Sequence, residues 1–108
     1  MNIGLVAGLV MGAAVLAAQG LPRCTAVEPD TGKTGDTISA KCENVSKTTF
    51  SDFYLTNGKD DTKVVIASQT DTEIRFVVPK IKAGRYHLEF LSTNKANFIE
   101  QPVVLTVE

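Results

Sequence analysis

Four sets of residues in this chain of 108 have types and spacings suited to chemistry: cysteines at 24 and 42, a lone histidine at 87, the acidic doublet Asp60–Asp61, and the aromatic doublet Phe53–Tyr54. Two thiols can bridge, cycle redox states or ligate a metal. A redox pair sits as C-x-x-C at a helix start, and two Cys with one His cannot fill a four-ligand zinc site. Between the cysteines lies the turn-rich run Pro29-Asp30-Thr31-Gly32-Lys33-Thr34-Gly35-Asp36, and each cysteine is nine residues from Lys33. If the flanking runs pair antiparallel about that centre, Cys24 and Cys42 face each other. Opposed Cβ atoms are then about 4.5–5.5 Å apart, close to bridging reach. The expectation is a structural Cys24–Cys42 disulfide.

The other sets point away from catalysis. A catalytic imidazole needs a nucleophile and an orienting group. His87 lies between Arg85 and Glu89 on the outward parity of its run and reads as a surface histidine. Calcium takes six to eight oxygens, so Asp60–Asp61 reads as a solvated turn after Asn57-Gly58. The 12 acidic residues are scattered, and no pair stands out as opposed across a hydrolytic cleft. The expectation is no catalytic residue, no metal, no cofactor and no enzymatic activity. Phe50, Phe53 and Tyr54 share one run, so at least one ring points outward. Phe53 and Tyr54 are the candidate surface for a glycan or a protein partner.

The elements that position these residues are short. After Gly20 no helical period is sustained. Runs rich in Val, Ile, Phe, Tyr and Thr are broken by Gly, Asn, Asp and Pro every 8–12 residues or so, the pattern of an all-β sandwich or barrel. Seven strands are expected: 23–28, 36–43, 49–56, 63–68, 73–78, 85–91 and 98–107, the last interrupted by Pro102. Ile38, Ala40 and Cys42 share one parity, as do Ile74, Phe76 and Val78, and Tyr86, Leu88 and Phe90. These parities mark the faces that pack. The Tyr86 hydroxyl is expected to bond backbone nearby at a sheet corner.

All charged residues, 11 basic and 12 acidic, follow Gly20. Residues 3–18 form an apolar run, and Ala18-Gln19-Gly20 is a small-x-small site with cleavage before Leu21. The expected organisation is a signal peptide over 1–20, or a retained apolar anchor helix, followed by one domain over 21–108. A formal net charge of −1 with scattered basic residues argues against nucleic acid as partner. Export places the protein in a secreted, periplasmic or cell-surface compartment, where thiols are oxidised.

Pro22-x-Cys24-x-x-Val27-x-Pro29 followed by Gly32-x-x-Gly35-Asp36-Thr37-Ile38 resembles the opening of an IPT/TIG domain. The run from Thr72 to Pro79, then Ala83-Gly84-Arg85-Tyr86-His87-Leu88-Glu89-Phe90, is similar to the family's middle and late part. The resemblance covers nearly all of 22–108 and implies an immunoglobulin-like β-sandwich of about seven strands. It departs at Cys42-Glu43-Asn44-Val45, where members often carry Gly and then an Asn-Phe pair. Fold motifs of this kind say little about function. The expected function is an exported, non-catalytic module acting in protein–protein or cell-surface contact by shape and edge complementarity, self-association included. A membrane is a partner only if residues 1–20 are retained. The alternative is a small carbohydrate-binding module with exposed aromatics near Tyr54. The cleaved form is expected to have an intact mass that begins at Leu21; a mass retaining residues 1–20 identifies the anchor form.

Overall fold

The computed structural model describes residues 20–108. The expected signal or anchor segment, but for Gly20, lies outside the described residues. Nine strands form two sheets: β1 Arg23–Glu28, β2 Thr31–Gly32, β3 Thr37–Glu43, β4 Asp52–Thr56, β5 Asp61–Lys63, β6 Ile66–Gln69, β7 Glu73–Val77, β8 Gly84–Leu91 and β9 Phe98–Val107. One sheet has the order β1-β3-β7-β6, the other β2-β9-β8-β4-β5. The described residues therefore form an all-β sandwich.

The difference from seven strands lies at two places where the chain changes sheets. After β1 and the cis Glu28–Pro29 bond, the backbone crosses over as β2, which pairs parallel with the end of β9. Thr106 N donates to Asp30 O and Glu108 N to Gly32 O, each at 2.9 Å. A Cβ on Gly32 would sit 3.0 Å from Ile38 Cδ1, so a side chain at the crossing would press on the core. The second change splits the run expected as one strand over 63–68. Val64 N donates to Phe53 O of one sheet, whereas Val65 O accepts from Val77 N of the other. One peptide step carries the chain between layers, leaving β5 and β6 as short pieces on opposite sheets.

The predicted inward parities are buried. Ile38, Ala40, Ile74, Phe76, Leu88 and Phe90 are fully enclosed, with Leu55 and Leu105 beside them. Phe53 is 1% exposed and lies 5.2 Å from Phe76 of the facing sheet and 5.0 Å from Phe90, measured between ring centres. Tyr86 is buried and its hydroxyl donates to Lys82 O at 2.7 Å, so the expected corner is present.

Pro102 does not interrupt β9. It lies in a bulge, where three residues of β9, Gln101 to Val103, stand against Leu88 of β8. A bulge tolerates a residue without an N–H. Gln101 is 4% exposed and turns toward β1: its Oε1 accepts from Cys24 N at 2.6 Å, and its Nε2 donates to Pro22 O at 3.3 Å. One amide side chain thus ties β9 to the first strand of the facing sheet.

Cys24 and Cys42 are opposed in register and joined as a disulfide. A bulge at Thr25 shifts the remaining β1–β3 pairs by one, to Val27↔Ala40 and Glu28↔Ser39. The symmetry about Lys33 therefore holds at the cysteines and not beyond the bulge. Closing a loop of this size removes unfolded-state entropy worth about 3 kcal/mol. Replacing both cysteines by alanine is expected to lower the unfolding free energy by about that amount, read from the urea midpoint. An unchanged midpoint would show that the bridge adds nothing to the sandwich.

Candidate functional site

Strand parity decides what the outer faces carry. Because Phe53 and Leu55 point into the core, Asp52, Tyr54 and Thr56 point out from β4. Because Leu88 and Phe90 point in, His87, Glu89 and Leu91 point out from β8. Register then aligns Lys63, Tyr54, Glu89 and Glu100 in one row across β5, β4, β8 and β9, with Asp52, Leu91 and Phe98 in the next. Of the aromatic doublet, only Tyr54 belongs to this surface; the structure places Phe53 in the core. Tyr54 instead meets Phe98, which is 50% exposed, edge to face at 5.4 Å with planes at 82°. Phe98 shares parity with the exposed Glu100, and that was the signal in the sequence for its outward position.

Glu89 departs from the expected solvated parity. It faces outward yet is only 6% exposed, and its Oε1 has no hydrogen-bond partner. Burial pushes its carboxyl up to about 7; hydrogen bonding with Asp61 and the charges of Asp61 and Glu100 push the same way. Protonated, Glu89 can donate to the Asp61 carboxylate. Alternation tells which side of a sheet a residue takes but not how deeply its row-mates cover it.

The neighbouring groups are already engaged. Lys63 Nζ lies 3.0 Å from Asp52 Oδ1, and that bond raises the lysine's pKa. The His87 Nδ1–H donates to Gln101 O at 2.8 Å, so the half-buried ring is held by backbone. Asp60 stays in its turn, its N–H donating to Asn57 Oδ1 at 2.7 Å, while Asp61 begins β5 and leans on Glu89. Among the described residues, no three His, Cys, Asp or Glu side chains are grouped so as to hold a metal.

The opposite outer face is organised differently. Glu73 accepts from Ser39 Oγ and from Lys41 Nζ at 3.2 Å, with Arg75 Nε 3.7 Å away, and these partners hold its carboxyl below the usual range. Glu73 thus has two cations beside it. A cavity of about 500 Å³ at the end of the sandwich, beside Asp60, Lys80, Lys82 and Tyr86, opens to solvent. Its tyrosine hydroxyl is already satisfied by Lys82 O.

Two packed sheets, a chain that changes layers near its start, and a tyrosine corner define an immunoglobulin-like β-sandwich. A model of the IPT/TIG domain matches residues 22–107, and the chain belongs to that family. No curated protein matches its sequence. Among solved structures, a protein of unknown function from Bacteroides thetaiotaomicron superposes with a TM-score of 0.67 at 11% identity, over 82% of this chain and 22% of that one. The gamma-CGTase from the alkalophilic Bacillus clarkii superposes with a TM-score of 0.63 at 17% identity, over 81% of this chain and 12% of that one. The chain spans less than a quarter of either protein, and the likeness is one of fold.

The Glu89 carboxyl makes stability depend on pH. Unfolded, it ionises near its ordinary 4.5; folded, it holds its proton to about 7. Between those values the unfolded chain has released a proton that the folded chain keeps, so stability falls as pH rises through this window and levels above it. The shift corresponds to a loss of about 3 kcal/mol. Glu89→Gln, neutral throughout, is expected to lack this fall and to exceed the wild type in stability at about pH 8. Urea unfolding of both proteins across the window checks the expectation, and parallel curves would contradict it.

Proposed function

We propose that this chain is an exported, non-catalytic contact module that binds a protein partner through the outer face of its five-stranded sheet. The observation that carries the proposal is the half-exposed Phe98 ring set against Tyr54 on that face. Exposed aromatic side chains are enriched in protein-contact patches relative to the rest of the surface. The disulfide is compatible with an oxidising compartment, whether secreted, periplasmic or on the cell surface.

Two features choose the face over the sheet edges. Strand addition needs a long, regular edge. Here β2 and β5 have two and three residues, and β1 and β6 are both bulged. The edges are blunted, so complementarity by edge, expected from the sequence, gives way to complementarity by face. The ring geometry likewise favours protein over carbohydrate. Stacking on a sugar uses flat rings presented together, whereas Tyr54 and Phe98 stand at 82° and form a ridge. Self-association falls within the same reading, with a second copy as the partner.

The test is site-specific photo-cross-linking in the producing cells. A benzophenone side chain at position 98 is expected to give a discrete protein adduct, and one at position 75, on the opposite face, to give none. Equal adducts at both positions, or none at 98, would overturn the proposal.

A further inference from the structure

We infer that the carboxyl cluster on the outer face of the five-stranded sheet, with Glu89 at its floor and Asp61 and Glu100 beside it, is a seat for an arginine side chain of a protein partner. The inference rests on the contact reading above and names the chemistry of the group that docks. Its starting point is Oε1 of Glu89, an oxygen almost wholly removed from water and without a partner of its own, in a carboxyl whose one hydrogen bond is to another acid, Asp61. Native structures rarely leave such an atom unsatisfied. The groups nearest it make the demand larger, because Asp61 and Glu100 are also acids.

Among the described residues no cation of this face bonds Glu89; Arg85 lies four residues along the same strand and makes no salt bridge with it. The groups facing Glu89 are Tyr54 and Asp52 from β4, Asp61 and Lys63 from β5, Glu100 from β9, and His87 on its own strand. Lys63 is bonded to Asp52, and the His87 Nδ1–H is committed to Gln101 O. Among the described residues no salt bridge includes Glu89, Asp61 or Glu100. On the opposite face Glu73 has Lys41 and Arg75 beside it, so unmatched acids are not the general habit of this sandwich.

The missing cation is better supplied by a guanidinium than by a metal ion. The acids are not grouped closely enough to chelate one. A guanidinium spreads its charge over five N–H donors in a plane and can reach carboxylates that could not share a single ion. It also stacks on aromatic rings, and Tyr54, directly opposite Glu89 in its row, meets Phe98 of the next row. An ammonium offers a point charge and no plane. When the guanidinium docks, the proton held by Glu89 passes to solvent and the carboxylate accepts from the ligand. Binding therefore strengthens as pH rises toward the point where Glu89 ionises and levels beyond it.

The probe is the peptide acetyl-Gly-Arg-Gly-amide, titrated into the purified protein and followed by two-dimensional NMR, with the citrulline peptide as its uncharged control. A single residue is expected to bind with a dissociation constant on the order of 10 mM. The expected result is shifts of the Asp61, Glu89 and Glu100 amides and of the Tyr54 ring with the arginine peptide, and none with citrulline. Binding at about pH 5.5 is expected to be about tenfold weaker than at about pH 8. Glu89→Gln and, separately, Asp61→Asn should each weaken it about fivefold while the remaining spectrum keeps its dispersion. Silence of these signals, an equal response to citrulline, undiminished binding in both variants, or saturation by calcium without a peptide response would overturn the inference. If position 98 cross-links a protein while the peptide is silent, the arginine seat fails and the contact reading stands. If the peptide binds while position 98 gives no adduct, the seat stands and the contact reading fails.

Discussion

The Phe53 ring, held between Phe76 of one sheet and Phe90 of the other, is the contact on which the rest of the molecule depends. It joins the two layers near their centre, where an aromatic side chain contributes the most buried area per residue. It also sets parity. With Phe53 turned in, Tyr54 must turn out; with Phe90 turned in, Glu89 must turn out. A slip of one residue in β4 or β8 would bury an acid and expose a ring, so the core enforces the composition of the outer face. The carboxyl cluster and the aromatic ridge are consequences of how the inside packs.

The two outer faces resolve the same electrostatic problem in opposite ways. On the four-stranded sheet, Glu73 is surrounded by a lysine, an arginine and a serine hydroxyl, and its proton is held weakly. On the five-stranded sheet, Glu89 is surrounded by acids and held out of water, and its proton is held tightly. Glutamates on equivalent outward parities thus titrate in opposite directions. The first face is complete in itself. The second keeps a group whose charge depends on what lies over it.

Much of the fold was legible in residue order. Period-two alternation around Ile74, Phe76 and Val78, and around Tyr86, Leu88 and Phe90, located β7 and β8 and their buried sides. The placement of Cys24 and Cys42 about Lys33 located their pairing. The sheet changes at Pro29–Thr31 and at Val64–Val65 were not legible, because hydrophobic pattern reports burial and is blind to which layer a strand joins. The bulge around Pro102 was missed for a related reason: proline marks a broken ladder, and the compensating extra residue is visible only against the partner strand. Of the candidate surface pair, Tyr54 takes the outer parity and Phe53 the core, and parity alone did not report that Glu89 is covered. The groups beside Glu89 come from other strands, Glu100 from the adjacent β9 and Asp61 from β5 two strands away, and neither is near it in sequence.

The bridge between Cys24 and Cys42 has a mechanical meaning as well. The loop it closes contains β2, the short piece that crosses to the far sheet and lies along β9. Tension entering the sandwich ahead of Cys24 passes through sulfur directly to Cys42, so the crossing segment lies off the line of force. Without the bridge the same pull would run through β1, its ladder to β3 and then β2. Here the covalent shortcut leaves β2 slack and sends the strain into β3, at the centre of its sheet.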